Sequence, residues 1–198
     1  MTSKKLLLLF VRNPELGKVK TRLAATLGQE KALEIYIKLL NHTRSITEQL
    51  PVHKLVYYTD NVTLNDQWPD HVYEKRVQPA GDLGDKMQAA FAAGFEEGYT
   101  SIVIIGSDCW QLSQEVIEEA YKQLEQQEVV LGPALDGGYY LLGTKRLHPQ
   151  LFQNKRWSTA HVFPDTIQDL KQLQLTYSLL PRLSDVDYAE DLDDELLK

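Results

Sequence analysis

The segment Ser101–Ile105 sets four β-branched residues, Ile102, Val103, Ile104 and Ile105, one after another and closes on Gly106. A strand without polar alternation has both faces buried, the pattern of a parallel sheet covered by helices on either side. Leu6–Val11 is a second apolar run, so Lys5–Val11 is expected to be another interior strand. Lys4 and Lys5 ahead of it look like the start of a secretory leader. The run leads, however, into a charged segment with Arg12, Lys18, Lys20 and Arg22 rather than into a small-residue cleavage site. It also falls far short of the ~20 apolar residues of a membrane span.

Elsewhere the apolar spacing turns helical. Leu33, Tyr36, Ile37 and Leu40 predict a helix within Gln29–Leu50, and Met87, Ala90, Phe91 and Phe95 predict one over Asp85–Glu97, ended near Gly98. Ser113 is placed to cap another, with Val116, Ile117, Ala120 and Leu124 on one face. Lys54–Thr59 reads as a strand and Val72–Val77 as a weaker one. Val129–Leu131 and Tyr139–Leu142 are separated by Pro133 and Asp136-Gly137-Gly138, which predicts a tight antiparallel connection instead of a crossover. Pro164–Leu173 is expected to be helical, Thr176–Leu180 a strand and Ala189–Leu197 a closing helix. Strands alternating with helices make an α/β fold with helices on both faces of one mixed sheet. The 198 residues suit a single domain spanning 1–198.

Composition removes several function classes. Cys109 is the one cysteine, which excludes a disulfide framework and a multi-cysteine zinc site and makes the cytoplasm the default residence. His42, His53, His71, His148 and His161 show no paired metal-ligand spacing. A net charge of −7 argues against a nucleic-acid partner. The charge is uneven: residues 12–22 carry four cations and one acid, and residues 185–195 carry seven acids and no base. Such runs are either solvated faces or the two halves of a phosphate and metal site.

Ligands of open α/β sheets sit beyond the carboxyl ends of the strands, so the loops there hold the candidates. After the first strand comes Arg12-Asn13-Pro14-Glu15-Leu16-Gly17-Lys18-Val19-Lys20-Thr21-Arg22, where a glycine lets main-chain N–H groups approach an anion and the cations neutralise it. It lacks the first glycine and the final hydroxyl of a P-loop, and a solvated basic loop is the alternative. After Ser101–Ile105 comes Gly106-Ser107-Asp108-Cys109, in which Asp108 either holds a hard divalent cation or caps the next turn. Asp136-Gly137-Gly138 is foremost a turn, with Asp136 placed to face a ligand. Asp185 and Asp187 lie two apart, so in extended chain they share a face and present two carboxylates, unless Asp187 caps the last helix.

Together these stretches resemble a known family. Asn13-Pro14 with Gly17–Leu23, Gln78, Gly81-Asp82-Leu83-Gly84 before Lys86-Met87, and Gly106–Cys109 match it. So do Gly132-Pro133, Asp136–Gly143, Trp157-Ser158-Thr159, and Asp185-Val186-Asp187 with Glu190-Asp191-Leu192. The chain resembles the glycosyltransferase A-like transferases, also called radical-SAM/selenodomain-associated transferase 1, of the nucleotide-diphospho-sugar transferase superfamily. The resemblance implies a GT-A-like, Rossmann-type three-layer α/β/α sandwich with a mostly parallel sheet. It implies Lys18, Lys20 and Arg22 as phosphate contacts, with Arg12, Gly17 and Ser107 beside them. It also implies Gly81, Asp82, Leu83 and Gly84 along the base and ribose, and Mg²⁺ or Mn²⁺ held by Asp108, with Asp187 and then Asp185 as further acids. Trp110, Lys86 and Glu15-Leu16 depart from the family's usual Pro, Arg and Pro.

The expected reaction is glycosyl transfer from a nucleotide-sugar to a small acceptor. Asp108, Lys20 and Arg22 would stabilise the leaving group, and Asp136 would position the acceptor or serve as base. The Lys20-Thr21-Arg22-Leu23 segment is also similar to phospholactate guanylyltransferases, which makes nucleotidyl transfer the alternative. A third reading is a non-catalytic nucleotide-binding domain. Cys109 is expected to be a buried structural thiol.

Overall fold

A computed structural model describes residues 4–197. Among them seven strands, β1 (Lys5–Val11), β2 (His53–Tyr58), β3 (Glu74–Val77), β4 (Ser101–Ile105), β5 (Val129–Pro133), β6 (Tyr139–Thr144) and β7 (Tyr177–Leu179), form one sheet in the order β3-β2-β1-β4-β6-β5-β7. β1 pairs in parallel with β2 and with β4, and β2 in parallel with β3. β6 runs antiparallel to both β4 and β5, and β5 is parallel to β7, so β6 is the reversed strand of the seven. Reversal at β6 is the tight connection expected across Asp136-Gly137-Gly138.

The period of two along each strand divides the core. Leu7, Leu9, Val11, Val56, Val103 and Ile105 pack on one face against Ile35 and Leu39 of α2 (Gln29–Thr47) and Ile117 and Ala120 of α4 (Gln114–Gln123). Leu6, Leu8, Leu55, Ile102 and Ile104 pack on the other against Met87, Ala90 and Phe91 of α3 (Leu83–Glu96) and Leu170 of α5 (Val162–Gln172). Every residue of β4 is buried. The result is the three-layer α/β/α sandwich anticipated from the sequence.

Two segments differ from expectation. A separate helix α1 (Thr21–Leu27) precedes α2, because Gly28 at φ +84° turns the chain between them. The closing helix expected over Ala189–Leu197 is instead a 3-10 turn, Ala189–Asp191, and a four-residue helix α6 (Asp194–Leu197). Its acids are spent on local main-chain groups: the Asp191 carboxylate accepts from the N–H groups of Asp187 and Tyr188, and Asp193 accepts from that of Leu196. Asp187 therefore leaves the capping to Asp191. Among the described residues no helix is long and apolar enough to cross a membrane.

Candidate active site

The chain runs β1→β2→β3 in one direction across the sheet and then returns to place β4 on the other side of β1. At such a reversal the loops leaving the two central strands diverge and open a crevice. Here the loop after β1 begins with Arg12 and the loop after β4 carries Ser107 and Asp108. Between them lies a cleft of two adjoining lobes, about 400 and 370 Å³, both bordered by Arg12, Tyr36, Leu83, Asp108, Tyr139, Ser158 and Asp185.

Tyr36 of α2 fastens the two loops together. Its buried hydroxyl accepts from the Arg12 N–H at 2.8 Å, and lies 3.2 Å from the Arg12 carbonyl and 3.3 Å from Ser107 Oγ. Burial above all, with Asp108 adding to it, pushes its ionisation far above the ordinary tyrosine range, so it serves as a neutral hydrogen-bonding hub. Buried Asn13 ties the same loop to the end of β2, donating to the Asn61 carbonyl at 2.8 Å and accepting from the Asp60 N–H at 3.0 Å.

The two charge runs of the sequence meet in this cleft. Lys20, the residue before α1, takes the left-handed conformation (φ +47°) and turns a nearly buried side chain, 5% exposed, inward. Its Nζ stands 2.8 Å from Asp108 Oδ1 and 3.4 Å from Asp187 Oδ1. Arg22 reaches the other oxygen of Asp187 at 2.9 Å. The late segment is held in place by main chain: the Val186 N–H donates to the Asp108 carbonyl at 2.8 Å, and the Ser184 N–H donates to Gln111 Oε1 at 2.9 Å. Asp185 and Asp187 flank Val186 and both face the cleft. Burial first, then Asp108 and Asp136, drive the Asp185 carboxyl up to about 7, against the pull of Lys20. Asp136 borders the larger, outer lobe of about 400 Å³ and anchors its turn by accepting from the Gly138 N–H at 2.8 Å. Gly137 (φ +89°) is required there, since a Cβ would collide with the main chain of Ala160.

The remaining sequence candidates fall into two groups. Lys18 borders the outer lobe but pairs with Glu15 at 2.6 Å on the surface, and Leu83 lines both lobes. Gly17 lies over the Gln29 amide and does not line the cleft. Asp82 caps α3 by accepting from the Asp85 N–H at 2.9 Å, with the Asp85 carboxylate returning the contact as a capping box. Gly81 precedes this cap, and Gly84 is buried beneath Trp157, where a Cβ would meet the indole at 2.6 Å. Of these four, the cleft receives only the Leu83 side chain. Cys109 is buried, its thiol pushed up to about 12 chiefly by burial, as befits a structural group. Trp110 leaves the loop to pack at a tilt against His42 of α2, ring centroids 4.5 Å apart, and His42 Nε2 lies 2.9 Å from the Leu112 carbonyl. Spacing alone did not single out Tyr36 or Gln111 as site residues.

Among the described residues no three His, Cys, Asp or Glu side chains converge into a closed metal cage. Mg²⁺ and Mn²⁺ do not need one: one or two carboxylates suffice when phosphates and waters complete the shell. Asp108 and Asp187 supply such oxygens, and a cation, the Lys20 ammonium, already lies between them. The donor set fits a hard divalent ion.

The model of family DUF2064, described as an uncharacterized protein conserved in bacteria, matches residues 43–159. The chain belongs to this family. No curated protein matches this DUF2064 chain. Among solved structures it is similar to a Desulfovibrio desulfuricans G20 protein whose name, nucleotide-diphospho-sugar transferase, is itself provisional. The two are 31% identical with a TM-score of 0.87 over 94% of this chain and 84% of that one. Two more distant matches share the fold. CMP:2-keto-3-deoxy-manno-octonic acid synthetase, solved with CTP, is 9% identical, with a TM-score of 0.55 over 98% of each chain. Rv0371C of Mycobacterium tuberculosis H37Rv, solved with manganese, is 11% identical, with a TM-score of 0.55 over 96% of each. The DUF2064 chain thus has the fold of the nucleotide-diphospho-sugar transferase superfamily.

Proposed function

We propose that this chain is a transferase using a nucleotide donor, and that its reaction is glycosyl transfer from a nucleotide-diphospho-sugar to a small acceptor. One observation carries the reading: Lys20 and Arg22 from the loop after β1 meet Asp108 and Asp187 in a single cleft. Cations for a diphosphate and acids for its counter-ion are thereby within reach of one ligand. The name of the Desulfovibrio relative supports the donor class.

Arg12, Lys18, Lys20 and Arg22 bind the phosphate oxygens and take up the charge that grows on the leaving diphosphate. Asp108 and Asp187, with Asp185 beside them, would hold Mg²⁺ or Mn²⁺, which would supply further charge neutralisation at that diphosphate. Leu83 packs against the nucleoside, with Gly81, Asp82 and Gly84 supporting it from behind. Asp136, one oxygen fixed by the Gly138 N–H, receives the acceptor proton on the other. Ser107 holds Tyr36 and so keeps Asp108 in register with the basic loop.

Nucleotidyl transfer from a nucleoside triphosphate is the second reading, favoured by the presence of all four cations on the outer lobe. A panel of nucleotide-sugars and nucleoside triphosphates, each with Mg²⁺ or Mn²⁺, separates the two. Release of a nucleoside diphosphate supports glycosyl transfer, and release of pyrophosphate supports the alternative. Asp108→Asn is expected to lower kcat by about 10²–10³ with the fold intact. Undiminished metal-dependent turnover in that variant would remove Asp108 from the mechanism.

A further inference from the structure

In the cleft Lys20 occupies the place between Asp108 and Asp187, the two acids proposed to hold the metal. Its Nζ is within ion-pair distance of one oxygen from each, 2.8 and 3.4 Å, and its side chain is 5% exposed against 47% for Asp108 and 33% for Asp187. The ammonium is therefore the inner member of the cluster and the carboxylates the outer ones. Lys20 is also the residue before α1, adjoining Thr21 and Arg22 on the wall of the outer lobe. Lys20 itself borders that lobe.

We propose that Lys20 is an internal stand-in for the divalent cation, which leaves Asp108 and Asp187 when the metal enters and moves to the donor diphosphate. Two like charges repel in the space between the same two carboxylates, so the metal and the ammonium compete for it. Metal alone must evict Lys20 with nothing to receive it. Metal with a diphosphate evicts it onto a new counter-ion, so each ligand strengthens the other's binding by the same factor. Arg22 remains on Asp187 Oδ2 and keeps that carboxylate oriented during the exchange. Lys20 is on this account a competitor of the metal and a ligand of the diphosphate by turns. The inference rests on the proposed function for the identity of the diphosphate, but not for the competition between Lys20 and the metal.

The test uses the full chain and two probes, Mn²⁺ alone and inorganic pyrophosphate at saturating Mn²⁺. Free Mn²⁺ is followed by electron paramagnetic resonance. Lys20→Met is expected to bind Mn²⁺ alone about tenfold more tightly than wild type and to bind pyrophosphate at least about tenfold more weakly. Lys20→Arg, which keeps the charge, is expected to leave Mn²⁺ binding weak. Mn²⁺ affinity in Lys20→Met that is unchanged or lower than in wild type overturns the inference. A crystal of the wild type soaked in Mn²⁺ gives a second readout that does not depend on the variants folding. Nζ displaced from both acids supports the exchange, and bound metal with both ion pairs intact overturns it. Wild-type protein that binds Mn²⁺ but neither pyrophosphate nor any nucleotide removes the proposed function, and the Mn²⁺ comparison then decides the role of Lys20 by itself.

Discussion

Asp185 sits where burial and the neighbouring carboxylates of Asp108, Asp136 and Asp187 all oppose its ionisation, which lifts its titration from 3.8 to about 7. A carboxyl that titrates higher in the folded chain than in the unfolded one keeps its proton longer when native. The native state thus binds more protons between those two values, and stability falls as pH rises through that window. Metal-free wild type is expected to lose Tm relative to Asp185→Asn between about pH 4 and pH 7. Beyond pH 7 the variant should remain the more stable by several degrees. Thermal unfolding in chelator across this range checks the slope, and parallel curves for the two proteins would remove the electrostatic account. Of the site itself, the sequence made the charged residues legible, because charge runs at strand ends have few places to go. Tyr36 was hidden by its own context: on an amphipathic helix it counts as one apolar repeat, and only the loops arriving from β1 and β4 give its hydroxyl a purpose. Asp82 shows the converse, since an acid at the edge of a glycine-rich stretch is read as ligand-facing until a helix begins at the next residue and claims it as a cap.

At the level of elements, the interior strands were the most legible because burial on both faces leaves no polar alternation to misread. The observed β1 coincides with the expected run, and β4 with Ser101–Ile105. Edges and termini were less legible. β3 is shorter than expected, and the C-terminal acids form local main-chain contacts that break a helix whose apolar spacing looked continuous. α3 gives the element-scale prediction. Its N-terminal turn approaches the 152–157 segment so closely that Gly84 has no room for a Cβ between the Phe152 carbonyl and the Trp157 ring. Gly84→Ala gains in helix propensity but is expected to lose about 1–3 kcal/mol overall through the forced shift. A lower Tm with altered tryptophan fluorescence is the expected signature. An unchanged Tm would mean that the segment over α3 yields freely, and then Trp157 cannot serve as a fixed wall of the outer lobe.

For the whole molecule, the metal and the diphosphate are both expected to bind only the folded chain, since the groups that meet them are scattered over residues 12–22, 107–108, 136–138 and 185–187. Apparent stability should therefore rise with ligand, by about 2.7 kcal/mol at a hundredfold excess over Kd for a single site. Differential scanning fluorimetry of chelator-treated protein, with Mn²⁺ alone and then with Mn²⁺ and pyrophosphate, measures this. A larger shift for the pair than the separate shifts combined is expected from the exchange at Lys20.

The bond from the Val186 N–H to the Asp108 carbonyl also bears on the order in which the cleft is assembled during folding. Without the 184–187 segment in place, Lys20 keeps Asp108 but has no Asp187 beside it. Until Val186 docks, the cations of the early loop stand without the second of the two carboxylates proposed to hold the metal. Docking of the 184–187 segment onto the loop after β4, not closure of the sheet, is then the step expected to complete the proposed pair of metal-binding acids.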